Sequence, residues 1–351
     1  MSACGLNRGP GMGQEIAAQD ASMSQSYAVL FKTHFWDDFT RRQLDRLKAV
    51  VGRGDIYVLV DETFQPAPPI AHDHVLGVTR QDIETLQLAP ITTHGSILWY
   101  NIDYPHYVAF SKLPAYDYYV TIEFDANIRQ SLDTLIDALA RDEVDYLGFP
   151  IRKRASEWPW YSAHLDIYGP DMLVALSCFA VFSHRALALL LARRQVMSKA
   201  FAAGRLSFWP NNEAFLPNEI RNARLHMEAL ATYGPDKHYD WWPPLEESAL
   251  DGLGEQMFVH PVLHGTRFVR SLIHHEPNLK SFLKVGTANH EKLKHFDPQL
   301  VTSLLRAESS RRWRDRFSRL LQRVRLQRKW DSNAHAKSAR VAQAESLHNS
   351  G

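Results

Sequence analysis

Cysteine is almost absent from this chain. Of 351 residues only Cys4 and Cys178 are cysteines. Two are too few for a disulfide scaffold or a Cys-rich zinc site, and they suit a reducing compartment. A dominant charge is missing as well: 40 Lys and Arg offset 39 Asp and Glu, for a net charge of +1. Global electrostatics therefore selects no particular partner. No stretch reaches the roughly 18 consecutive apolar residues of a membrane-spanning helix. Residues 1–26 have no apolar core and read as a disordered leader, not a signal peptide. Internal repeats are lacking too.

What is present is alternation. Residues 27–33 read as a strand, 38–51 as an amphipathic helix ended by Gly52 and Gly54, and 55–61 as a near-continuous apolar strand. Short strands at 75–79 and 145–149 and helices at 80–88, 104–113, 130–141 and 185–196 extend the pattern. Residues 171–183 are apolar and strand-like, and 158–168, rich in Trp, Tyr and His, read as a loop. Strands alternating with helices of this length predict an α/β fold with a mostly parallel central sheet flanked by helices.

The most informative stretch runs from Tyr116 to Asn127. Tyr118, Val120, Ile122 and Phe124 fall on one face of a strand, and Tyr119, Thr121, Glu123 and Asp125 on the other. Two carboxylates thus point the same way at the strand's C-terminal end, where open α/β sheets bind ligands. Paired hard oxygens there suit Mg²⁺ or Mn²⁺ carrying a diphosphate. The rival role for Glu123 and Asp125 is to cap the next helix or pair with Arg129.

Trp99-Tyr100-Asn101 followed by Tyr116-Asp117-Tyr118-Tyr119 and the acidic strand end resembles a bacterial branch of GT-A-fold, nucleotide-sugar-dependent glycosyltransferases. The resemblance covers residues 27–270. It implies a Rossmann-type catalytic domain over residues 27–300 and a nucleotide-sugar donor. It also implies a divalent metal, Mn²⁺ or Mg²⁺, held by the acidic triplet. The usual triplet is Asp-X-Asp; this chain has Glu123-Phe124-Asp125. The first strand end, at Phe31, Thr33 and His34, and the second, at Asp61 and Glu62, would contact the nucleotide. His260 resembles the C-terminal histidine that completes the metal site in some members; a structural histidine is the alternative.

Glu213 is the candidate general base, because an inverting transfer needs a carboxylate to take the acceptor's proton. The segment Trp209-Pro210-Asn211-Asn212-Glu213 places it at a helix start with an Asn cap, and Glu219 is its rival. His260 and His264 have metal-ligand spacing on a helix, but Pro261 favours an extended segment. Arg152, Lys153 and Arg154 could grip a diphosphate or simply line a solvated loop. Trp158, Trp160 and Tyr161 could stack on an acceptor sugar or merely pack.

The C-terminal end carries a separate signal. Over residues 301–330 a helix is expected, with Trp313, Phe317, Leu320, Leu321 and Val324 on one stripe. Between Arg306 and Lys329 ten residues are Arg or Lys and two are Asp or Glu. A basic amphipathic helix suits an anionic membrane surface as well as it suits packing on the catalytic domain. Nucleic acid is not expected, since the aromatics do not interleave with the charges. Residues 331–351 read as a disordered tail.

The expectation is a cytoplasmic glycosyltransferase, peripheral at the inner membrane face, acting on a polysaccharide or glycolipid-type acceptor. The alternatives are a non-catalytic nucleotide-sugar or glycan-binding module on the same scaffold, or a nucleotidyltransferase. The last ranks lowest because Thr33-His34-Phe35-Trp36 is not a Gly-rich basic loop.

Overall fold

The computed structural model describes residues 24–90, 96–150 and 155–321. Arg152, Lys153, Arg154, Val324, most of the expected leader and the expected tail lie outside the described residues. The chain divides into two compact units, Met1–Trp242 with Gly252–Pro261, and Pro243–Asp251 with Val262–Gly351.

The first unit is built on one seven-stranded sheet. Its strands are β1 (Tyr27–Thr33), β2 (Asp55–Asp61), β3 (Val75–Val78), β4 (Tyr118–Glu123), β6 (Tyr146–Pro150), β7 (Ala175–Ser183) and β8 (Met227–Ala229). They lie in the order β3-β2-β1-β4-β7-β6-β8. Only β7 runs against its neighbours; the other pairings are parallel. The α/β class and mostly parallel sheet are thus as expected.

The period-2 pattern sorts the strand side chains into two cores. Tyr27, Val29, Phe31, Tyr118, Val120 and Ile122 bury into one layer beside Leu132, Leu135 and Leu139 of helix α4 (Leu132–Arg141). Ala28, Leu30 and Tyr119 bury into the other. There they meet helices α3 (Tyr104–Lys112), α6 (His184–Ala202) and α7 (Asn212–Asn222). Every residue of β1 is buried, as expected for a strand covered on both faces.

Two local features differ from expectation or were not foreseen. Residues 161–168 form helix α5 (Tyr161–Tyr168), not a loop. Tyr161, Leu165 and Tyr168 recur at i, i+4 and i+7 and pack with Trp158, Met172, Val174 and Ala214. Gly169, at φ 73°, ends the helix. A small second sheet joins β5 (Asn127–Ile128), β11 (Phe258–His260) and β9 (His238–Tyr239) in the order β5-β11-β9. It ties the segment just after β4 to His260 through the pairs Phe258 with Ile128 and Val259 with Asn127.

The second unit packs Leu263, Phe268, Val269, Leu272, Ile273, Phe282, Leu293 and Leu305 into one cluster. It contains helix α9 (Gly265–His275) and a helix over residues 298–321. The latter is in two parts. Leu304 and Leu305 belong to the cluster. Glu308 accepts from Arg311 at 2.6 and 2.8 Å and from Arg312 Nε at 2.7 Å. The Arg312 guanidinium then donates to the carbonyls of Ile273, His274, Glu276 and Pro277 at 2.8–3.1 Å. Ile273 and His274 carry orphan carbonyls at the end of α9, and Glu276 and Pro277 follow it; one side chain satisfies all four. Beyond Arg312, Trp313, Phe317, Leu320 and Leu321 are exposed, and Trp313 stacks on Phe317 at 5.4 Å. Among the described residues no helix is long and apolar enough to cross a membrane.

Arg312→Ala should destabilise the second unit by on the order of 2 kcal/mol, since it strands several carbonyls at once while Glu308 keeps Arg311. Hydrogen exchange over α9 measures this. Unchanged protection there would mean that water replaces the guanidinium at no cost.

Candidate active site

A row across three adjacent strands builds the centre. Parallel pairing of β1 with β4 sets Lys32 beside Glu123. Antiparallel pairing of β4 with β7 sets Ile122 against Phe179, and the next step in register brings Cys178 opposite Glu123. Side chains in one such row leave the sheet on the same face. Lys32 Nζ, fully buried, lies 3.7 Å from Glu123 Oε1.

His260 arrives on β11. Its Nδ1 is 2.7 Å from the carbonyl oxygen of Asp240. A carbonyl only accepts, so Nδ1 carries the proton and Nε2 presents a lone pair. Nε2 lies 3.7 Å from Asp125 Oδ1. One ligand atom each from Glu123, Cys178 and His260 falls within 4.8 Å of the others. The structure therefore brings together Glu123, Asp125 and His260. It adds two residues that sequence reasoning missed, Lys32 and Cys178. A lysine inside a strand otherwise made to be buried was the available signal for the first; a cysteine in an apolar strand signals nothing by itself.

The electrostatics of this cluster are unfavourable as it stands. Burial pushes the Asp125 carboxyl up to about 7, with its own backbone N–H and Lys32 pulling it back. Burial also raises Glu123; Lys32 opposes this and the Asp125 charge adds to it. Lys32 is lowered by burial, His260 is lowered by burial, and the Cys178 thiol is pushed well up by burial and by both carboxylates. Lys32 Nζ, Glu123 Oε1 and Asp125 Oδ1 are buried without a hydrogen-bond partner. Each such orphan costs about 1–3 kcal/mol. A bound divalent cation would satisfy both oxygens and favour their ionised forms, against the upward push of burial. Carboxylate oxygen, imidazole nitrogen and sulfur all fit that role.

Glu213 sits at the start of α7. The Asn211 side chain caps the helix by accepting from the Glu213 N–H at 2.7 Å. Asn211 N–H itself donates to His164 Nε2 at 2.9 Å, so His164 is a structural anchor. Buried Arg194 on α6 pairs with Asp103 at 2.6 Å and donates to the Pro210 carbonyl at 3.0 Å. These bonds fix the lead-in to α7. Trp158 Nε1 donates to Glu213 Oε2 at 2.8 Å. Its rival Glu219 pairs with Arg193 at 3.3 Å.

The other expected ligand contacts line the edge of β1 and β2. Phe31 spends its side chain in the core, which leaves only its backbone for a ligand. Thr33 Oγ1 donates to the Phe35 carbonyl at 2.5 Å. His34 is exposed and meets Phe35 and Phe124 edge-on at 4.9 and 5.7 Å. Asp61 is buried and accepts from the N–H and hydroxyl of Thr63, the Ser96 hydroxyl and the Ile97 N–H. It therefore ties two loops together. Glu62 accepts from Ala67 N–H at 3.0 Å and lies across Gly77, where a Cβ would come within 2.0 Å of its Oε2. His264 is 3.0 Å from Glu246 Oε1 and N-caps α9 without a side-chain bond.

No protein-family model and no curated protein matches the chain. Solved structures give loose likenesses. Mouse xyloside xylosyltransferase 1 aligns with a TM-score of 0.41 and 11% identity, over 67% of this chain and 97% of that one. The galactosyltransferase LgtC gives 0.38 and 10%, over 65% and 78%. A glycosyltransferase involved in glycosylating the major capsid of PBCV-1 gives 0.34 and 11%, over 77% and 98%. At such scores these likenesses carry no weight on function, and the chemistry rests on the chain's own residues.

In metal-free protein Asp125 should make stability fall as pH rises. Its folded-state pKa of about 7 exceeds the ordinary 3.8, so the folded chain binds the extra proton between those values. Stability from this group is complete at acid pH and lost as pH climbs toward and through 7. Urea midpoints at pH 5 and pH 8 in EDTA, for wild type and Asp125→Asn, isolate it. A smaller loss in the variant is expected; identical losses would show that Asp125 titrates normally.

Proposed function

We propose that this chain is a metal-assisted glycosyltransferase. It moves a sugar from a nucleoside-diphosphate sugar to a hydroxyl of a polysaccharide or glycolipid-type acceptor, with inversion. The observation that carries this is the pair of buried oxygens without a hydrogen bond, Glu123 Oε1 and Asp125 Oδ1, gathered with His260 at the C-terminal end of β4. Two largely buried acids with one lysine between them leave charge and hydrogen bonding unbalanced, which fits a ligand-binding duty.

In this reading Asp125, Glu123 and His260 hold Mg²⁺ or Mn²⁺. The ion's contribution is to neutralise the charge that develops on the leaving diphosphate. Lys32, buried 3.7 Å from Glu123, favours the ionised form of that carboxylate. Glu213 takes the acceptor proton as the hydroxyl attacks the anomeric carbon, and Trp158 fixes its carboxylate through Oε2. Exposed Trp160, edge-on to Tyr100 at 6.2 Å, offers an apolar platform for the acceptor ring. His34 and the β2 edge at Glu62 flank the nucleotide, and Asp61 holds that edge in shape. Arg152 belongs to the same expected contact set.

The exposed Trp313–Leu321 stripe, set among arginines, is the surface by which a cytoplasmic enzyme would rest on the inner membrane face. Cosedimentation of the whole chain with anionic vesicles checks this. Binding should weaken as salt rises and should fall on Trp313→Ala with Phe317→Ala. Salt-independent binding, or none, would remove the membrane role.

Two variants test the chemistry. Asp125→Ala should abolish metal-dependent nucleoside-diphosphate binding, measured by calorimetry with Mn²⁺ and UDP. Glu213→Gln should lower kcat by about 10²–10⁴ with donor affinity nearly unchanged. Full turnover in Glu213→Gln would pass the base role to Glu219 or indicate retention.

A further inference from the structure

We propose that Cys178 is a ligand of the same ion, as a thiolate, and that this makes the site select a borderline ion such as Zn²⁺ over Mg²⁺. The inference rests on the metal reading above but concerns a residue and a selectivity that an acid–acid–histidine set does not supply.

The placement is a consequence of register. Glu123 and Cys178 face each other across β4 and β7, and His260 closes the third side from β11. Their ligand atoms lie within 4.8 Å of one another. A tetrahedral ion with bonds of about 2.0–2.3 Å needs edges of about 3.3–3.7 Å. Closing that difference takes rotation of the Glu123 and Cys178 side chains toward His260, whose ring the Asp240 carbonyl holds. Cys178 is the one cysteine among the described residues, and it is buried.

The proton balance is simple. As the ion binds, the S–H bond breaks heterolytically. The sulfur keeps the electron pair and donates it to the ion, and one proton leaves for solvent. His260 needs no deprotonation, since its Nε2 lone pair is already presented. A thiolate and an imidazole raise affinity for Zn²⁺ and Co²⁺ much more than for Mg²⁺, which prefers oxygen and a hydrated octahedron. Asp125 then serves as a fourth donor or as an acceptor to water on the ion.

The test uses the whole chain in a Cys4→Ser parent, so that Cys178 is the sole thiol. Co²⁺ titrated into metal-free protein should produce a thiolate-to-cobalt charge-transfer band in the near ultraviolet, absent in Cys178→Ser. Zn²⁺ should displace Co²⁺, and Mg²⁺ should need on the order of 100-fold or more higher concentration to do so. No band in the parent, a band persisting in Cys178→Ser, or Mg²⁺ competing on equal terms would overturn the proposal. If the serine variant fails to fold, zinc-edge X-ray absorption of the parent decides: a sulfur scatterer at about 2.3 Å supports it and its absence overturns it. Transfer assays separate this from the functional reading. Mg²⁺-supported transfer without a sulfur ligand would remove the thiolate alone. A sulfur-bound ion with no donor turnover under any metal would remove the transferase alone.

Discussion

Everything at the centre depends on two carboxylates being largely withdrawn from water where β4 ends and turns. Glu123 and Asp125 cannot both ionise there without a compensating charge. Lys32 supplies part of it, fully buried and 3.7 Å from Glu123. Yet Lys32 Nζ and one oxygen of each acid are left without a hydrogen bond. The cluster is therefore poised, with donors and partial charges in place and the balancing cation left to a ligand. The surroundings are built to tolerate it. β1, β4 and β7 are the central strands of the sheet, and the Asp240 carbonyl holds His260.

A second constraint fixes the proposed base. Glu213 takes its position from backbone hydrogen bonds more than from its own side chain. Arg194 crosses the core to Pro210, His164 receives the Asn211 N–H, and Asn211 caps α7. A buried Arg194–Asp103 pair is an expensive way to hold one loop. Its stacking over Phe215 at 3.6 Å and Trp209 at 4.9 Å recovers part of the desolvation cost. That investment suits a segment whose orientation matters to chemistry.

Much of this was legible in the sequence because it depends on period-2 alternation. The β4 face split, Glu123 included, and the Asn cap before Glu213 follow from residues close in sequence; Asp125 lies in the turn after β4, so alternation does not place it. The centre's completion does not. Cys178 and Lys32 reach Glu123 through strand order and register across about 55 and 91 residues, which local patterns do not encode. The 161–168 helix was misread because its apolar stripe is made of Tyr and Leu among His and Trp, a composition that mimics an aromatic loop. Phe31 and Asp61, expected at the nucleotide, turn out to spend their side chains on the core and on loop bracing. Sequence shows that a residue stands near a strand's end, but the direction of its side chain is a tertiary outcome.

The central claim is that the buried acids are a cation–diphosphate site. Anomalous diffraction at the manganese edge, from crystals of the whole chain soaked with Mn²⁺ and UDP, tests it most directly. The account predicts one strong peak within coordination distance of Asp125 and His260, with diphosphate density against it. A structure with UDP bound and no peak there, or with Lys32 alone contacting the diphosphate, would contradict it.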